Sequence, residues 1–108
     1  MTPLRLSRQA RSDANEAATW YATQGGLALE LVFAYALRAV YELIQQYPGI
    51  GSTRHAEYAS DLPTPLRLLP LKRFAQHLIY YIERPQHVLV IRTWYVARGL
   101  DALIGDGA

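Results

Sequence analysis

Hydrophobic positions change their period along the chain. Leu4 and Leu6 flank Arg5 in a short alternation that ends at Ser7, and this predicts a short strand over Pro3–Leu6. Ser7 fits a helix N-cap, because its hydroxyl can accept from a free backbone N–H of the next turn. Ala10, Ala14, Ala17 and Tyr21 follow at helical spacing, a small-residue stripe suited to close packing. Gly25-Gly26 then predicts a break, since glycine reaches left-handed backbone conformations without steric penalty. Leu29, Val32, Phe33, Ala36, Leu37, Val40, Leu43 and Ile44 repeat with three-four spacing and stop before Pro48-Gly49. The pattern predicts a two-helix hairpin with a Gly-Gly turn.

Periodicity is lost over Tyr47–Pro65, where prolines, glycines, serines and Thr53 accumulate. A loop this long inside a compact domain is uncommon and often functional. A short helical turn is expected near His55–Tyr58. The last third reads as β structure. Leu66–Leu71 carries Pro70, which suits an edge or a bulge. Phe74–Glu83 and Val88–Tyr95 are rich in Ile, Val and aromatics, and Arg84-Pro85-Gln86-His87 is a reversing turn between them. Helices followed by a run of strands define an α+β domain with a small antiparallel sheet. A single domain spans 1–108, with Leu100–Ala108 expected to fray.

A two-residue turn between Arg84 and His87 would set Tyr81 opposite Val90 and Tyr80 opposite Ile91. One face would then carry Leu78, Tyr80, Ile82, Leu89, Ile91 and Thr93. The other would carry His77, Ile79, Tyr81, Glu83, Val88, Val90, Arg92 and Trp94. Only the second contains charges, so the first is expected under the helices and the second in an open groove. Arg92 could pair with Glu83 across the strands, and His77 could neighbour Trp94. A one-residue slip would reverse every assignment.

Composition removes whole classes of chemistry. With no cysteine, disulfides, cysteine-based zinc sites and thiol nucleophiles are excluded, and His55, His77 and His87 are too scattered for a metal motif. No secretory leader is expected, because Ser12, Asp13, Asn15 and Glu16 follow the early arginines. The apolar run Leu27–Leu37 is too short to span a bilayer, so a cytoplasmic protein needing no cofactor is the expectation. The net charge of +2 is uneven: residues 1–46 sum to zero and residues 47–108 to +2. Ten of the eleven cations are arginine, which favours fork-shaped contacts to carboxylate or phosphate.

The order of several phrases resembles the RelE/ParE superfamily of type II toxins, most of all its ParE branch. Leu4-Arg5-Leu6-Ser7, Ala10, Asp13 and Trp20-Tyr21 are similar to the family's opening strand and first helix. Tyr47-Pro48-Gly49-Ile50-Gly51 is similar to its "P-x-I-G" element, with Arg54 shortly after. Leu66-Arg67, Leu69-Pro70-Leu71, Phe74 and Leu78-Ile79-Tyr80-Tyr81 follow in family order. Val90-Ile91-Arg92-Thr93-Trp94-Tyr95-Val96-Ala97-Arg98 resembles the family's closing phrase, with Tyr95 where His is common and Gly99 where Asp is common.

The resemblance implies a toxin held inactive by a cognate ParD-like antitoxin in a hetero-oligomer, touching operator DNA only through the antitoxin. Three readings follow: a DNA gyrase inhibitor, a ribosome-dependent mRNA endonuclease, or a degenerate module that only binds its antitoxin. The gyrase reading needs no catalytic set, only a recognition surface, for which Arg67, Arg92, Trp94, Tyr95 and Arg98 are the candidates. The nuclease reading would draw on Arg54, Arg67, Lys72, Arg73, Arg92, Tyr95 and Arg98 to stabilise a phosphorane, with Lys72 or His77 as base. Antitoxin binding is assigned to Ile79, Tyr81, Val90 and Trp94 on the floor of the expected groove.

Overall fold

In a computed structural model, residues 1–104 are described. The elements are β1 (Leu4–Leu6), α1 (Arg8–Gln46), β2 (Arg67–Leu71), β3 (Phe74–Glu83) and β4 (Val88–Tyr95). Short 3-10 turns occur at Ala56–Ala59, where the helical turn was expected, and at Val96–Arg98. Ser7 caps α1 as its position predicts, its Oγ accepting from the Ala10 N–H at 3.0 Å and donating to the Ile91 carbonyl at 2.7 Å. One side chain therefore starts the helix and ties it to β4.

The two-helix expectation needs one change of detail. The 39 residues of α1 form one helical element, interrupted only at Gly26. A straight helix of that length would extend about 58 Å, yet the longest dimension of the molecule is 39 Å. The chain folds back at Gly26, and the rings of Tyr21 and Phe33 lie 5.0 Å apart across the bend. Gly26 holds φ 71° and ψ −167°, a region essentially reserved for glycine. Gly25 stays helical, but a Cβ there would meet the Leu29 side chain at 2.7 Å. The expected two-residue turn is thus a one-residue break with a tight neighbour.

The sheet order is β1-β4-β3-β2. β3 pairs antiparallel with both β2 and β4, while β1 pairs parallel with β4. The sheet is therefore mixed rather than wholly antiparallel. Pro70 lies on the edge strand β2, where its missing N–H leaves no central ladder bond unmade.

Tyr81 does face Val90, but Tyr80 faces Arg92 and Leu78 faces Trp94. Ile91 is the extra residue of a β-bulge, and it reverses side-chain parity beyond it. The expected face assignment is overturned in two ways. Ile79, Tyr81, Val88 and Val90, expected to line an open groove, pack beneath α1 with Ala10, Phe33, Leu37, Val40 and Ile44. Their aliphatic and aromatic bulk drives them there, and Glu83 at the strand end was a poor guide to the whole face. Leu78, Tyr80, Ile82 and Trp94 form a second core with Ala59, Leu66, Leu68 and Leu103 on the opposite face. That face is covered by the 47–65 loop and the chain after β4. Leu103 is fully buried and Leu100 and Ala102 pack beside it, so the start of the expected frayed tail is anchored to this second core. Residues 105–108 of the expected tail lie outside the described residues.

Candidate functional site

β1 pairs with β4 only as far as Val90, so the β4 edge is open from Ile91 onward. Asp13, in the second turn of α1, closes it. Its Oδ2 accepts from the Thr93 backbone N–H at 3.1 Å and from Arg92 Nε at 2.8 Å, and its Oδ1 accepts from Arg92 Nη2 at 2.9 Å. The two-pronged geometry matches guanidinium to carboxylate. Arg92 Nη1 also donates to the Leu103 carbonyl at 3.2 Å, which fixes the packed end of the described chain. The Arg92 and Arg98 guanidinium groups lie 4.5 and 4.3 Å from the Trp94 ring centroid. Trp94 Nε1 donates to the Gly99 carbonyl at 2.8 Å.

This cluster relocates two expected recognition residues. Arg92 and Trp94 are buried, and Arg92 is committed to Asp13 rather than to Glu83. Glu83 instead sits 3.4 Å from Arg67. Tyr95 and Arg98 are exposed beside the cluster, and Arg98 reaches to 3.8 Å from Asp13.

Next to it lies a cleft of about 410 Å³, lined by Asp13, Glu16, Trp20, Tyr21, Gln76, His77, Thr93, Tyr95 and Arg98 among others. His77 pairs with Tyr95 across the strands rather than with Trp94, a consequence of the bulge. Its Nε2 is 3.1 Å from the Tyr21 hydroxyl, and its Nδ1 has no hydrogen-bond partner. Burial holds the imidazole below its usual pKa and so keeps it neutral. Burial, and then the nearby Tyr95, raise the Tyr21 phenol above its usual value. Trp20 is 57% exposed and stands nearly perpendicular to Tyr21 at 5.1 Å. Tyr95 is 41% exposed over His77, with ring centroids 5.4 Å apart.

Tyr21 was expected only in the packing stripe of the first helix, and Asp13, Glu16 and Trp20 had no expected site role. The signal was present: Asp13, Glu16, Ala17 and Trp20 fall at i, i+3, i+4 and i+7, one face of a helix.

The remaining candidates are dispersed. Arg67 stands at the start of β2 and donates to the carbonyls of Gly49 and Gly51 at 3.1 and 2.9 Å. The Tyr81 hydroxyl donates to the Pro48 carbonyl at 2.7 Å and accepts from the Gly51 N–H at 2.9 Å. A Cβ at Gly51 would meet that hydroxyl at 2.7 Å, so the close approach needs glycine. Arg67 and Tyr81 therefore hold the Pro48–Gly51 segment in place. Lys72 and Arg73 are exposed in the turn at the far end of β2. Arg54 is exposed, and its neighbour His55 bonds the Tyr80 hydroxyl through Nδ1 at 2.7 Å. The cations named for phosphorane stabilisation thus divide among an exposed loop position, a loop anchor, a turn, a buried ion pair and the cleft rim. Among the described residues, no group of three His, Asp or Glu side chains could hold a metal.

Outside the cleft, the second arm of α1 carries Leu27, Leu31 and Tyr35 at four-residue spacing, all exposed and turned away from the Phe33–Leu37–Val40 core stripe. No described helix is long and apolar enough to cross a membrane.

A solved structure titled "Chromosomal ParDE TA system from P. aeruginosa" superposes with a TM-score of 0.68 at 21% identity, covering 85% of this chain and 92% of that one. Among curated proteins, none matches the sequence significantly. The model of the family described as ParE toxin of type II toxin-antitoxin system, parDE, matches residues 4–99, and the chain belongs to that family.

Proposed function

We propose that this ParE-family chain inhibits DNA gyrase and is neutralised by a cognate antitoxin. The family match over residues 4–99 carries this reading. The reading requires recognition surfaces and no catalytic set, and two exposed surfaces are suited to it. Tyr95 and Arg98 on the cleft rim are residue types that anchor protein interfaces, and they are the target contacts. The Leu27–Leu31–Tyr35 face takes the apolar side of an amphipathic antitoxin segment. Antitoxin docking moves there from Ile79, Tyr81, Val90 and Trp94, which are fully buried. The antitoxin carries the contact to operator DNA, and the complex is a hetero-oligomer acting in the cytoplasm, where gyrase works.

Purified chain in a gyrase supercoiling and cleavage assay tests the reading. Inhibited supercoiling or stabilised cleavage, reversed by stoichiometric antitoxin, is the expected outcome. Unchanged gyrase activity at concentrations that arrest growth would remove gyrase as the target.

A further inference from the structure

The cleft and the depression beside it bring exposed aromatic rings next to exposed arginines. The cleft's rim presents two aromatic rings, Trp20 and Tyr95, both substantially exposed. Its wall carries Gln76, Glu16 and neutral His77, a mixture of donors and acceptors rather than a single charge. About 410 Å³ is within the usual range for a small planar ligand such as a nucleobase with its sugar. Across the wall formed by Glu16 and Trp20 lies a second depression, lined by Arg8, Arg11, Ser12, Asn15, Thr19 and Thr23 besides those two. Arg8 and Arg11 are one helical turn apart and exposed. An aromatic slot beside a shallow track of arginines and hydroxyls is the arrangement that holds an unpaired nucleotide strand, base in the slot and phosphates on the cations.

We propose that this cleft binds a single-stranded nucleic-acid segment, with one base stacked on Trp20 and Tyr95 and the adjoining phosphates on Arg8 and Arg11. Stacking needs the flat face of an unpaired base, so a duplex cannot enter. The Glu16 and Gln76 polar atoms meet the edge of the base. The Arg92–Asp13 pair stays intact beneath and keeps the cleft floor rigid. This site shares Tyr95 with the proposed target surface but goes beyond gyrase inhibition, and the strand-binding test reads it without gyrase.

The test uses the full-length chain and fluorescein-labelled twelve-nucleotide probes: a mixed-sequence DNA strand, the same sequence as RNA, and the DNA duplex. Anisotropy reports binding. Quenching of the exposed Trp20, set against buried Trp94, reports its location. The single strands are expected to bind at least tenfold more tightly than the duplex. The stronger of the DNA and RNA arms identifies the source of the strand. Trp20→Ala is expected to weaken binding about 5- to 150-fold and Trp20→Phe far less. Arg8→Ala with Arg11→Ala should lower the slope of log affinity against log salt by about 1.4. Thermal melting verifies that each variant is folded. Equal binding of strand and duplex, or Trp20→Ala binding as the wild type does, overturns the proposal. So does Trp20 quenching by the antitoxin but by neither single strand, which would assign the cleft to a protein.

Discussion

The Asp13–Arg92 cluster and the Trp20–His77–Tyr95 cleft share residues and a wall, yet they are built on opposite rules. In the cluster, both carboxylate oxygens of Asp13 are taken by Arg92, one also by the Thr93 N–H, and Trp94 lies beneath the guanidinium. Charges that far from water persist only when matched in this way. In the cleft, aromatic faces stand exposed and one nitrogen of His77 has no partner. A protein optimised only for stability would cover those rings. The contrast separates residues that hold the fold from residues available to a partner. It also explains why Arg92 and Trp94, attractive as recognition residues in the sequence, belong to the first group.

The largest expected effect would come from breaking the cluster. Asp13→Ala leaves Arg92 buried without its counter-ion and Thr93 N–H without an acceptor, and should cost about 3–5 kcal/mol in urea denaturation. A loss below about 1 kcal/mol would mean the ion pair is more hydrated than the structure has it. Tyr81→Phe removes the hydroxyl that joins Pro48 to Gly51, and should cost about 1–3 kcal/mol. It should also increase hydrogen exchange in the 48–51 segment.

The cleft should respond to pH instead. Burial lowers the native pKa of His77, so the unfolded chain takes up the proton first as pH falls. Stability is therefore complete above about pH 6.5, declines below it, and stops changing once pH passes the lowered native value. His55 is shifted in the same direction, by burial and then by Arg54. His77→Gln should accordingly shrink the pH slope of the urea midpoint without abolishing it. An unchanged slope would contradict a buried neutral His77. The smallest effect belongs to the rim: Trp20→Ala should change stability by no more than about 0.5 kcal/mol. A larger loss in the same urea titration would make Trp20 a packing residue and blur the comparison.

Much of the fold was legible because it rests on local chemistry. Ser7, the three-four stripe, Gly26 and the Arg84–His87 turn each announce a conformation by residue type. The second core, the bulge and the cluster were not legible, for one shared reason. Nothing in Val88–Tyr95 marks Ile91 as the extra residue, and without it every later side chain is assigned to the wrong face. The bulge lies beside the point where β1 ends, and Ser7 bonds the Ile91 carbonyl there. It is set by tertiary contacts 84 residues apart, beyond the reach of periodicity. The same distance hid Asp13, whose partners are 79 and 80 residues away. Tyr95 and Arg98 were found through the family resemblance, while the Trp20 side of the cleft needed the folded chain.

Gyrase inhibition, as proposed, would run through the exposed rim residues Tyr95 and Arg98 and not through the buried cluster. Gyrase supercoiling measured with the wild-type chain and with the double variant Tyr95→Ala and Arg98→Ala, at equal folded concentration, tests it most directly. Inhibition by the wild type and at least tenfold weaker inhibition by the double variant, with antitoxin binding retained, is the expected result. Supercoiling untouched by the wild type, or inhibited equally by both proteins, would contradict it.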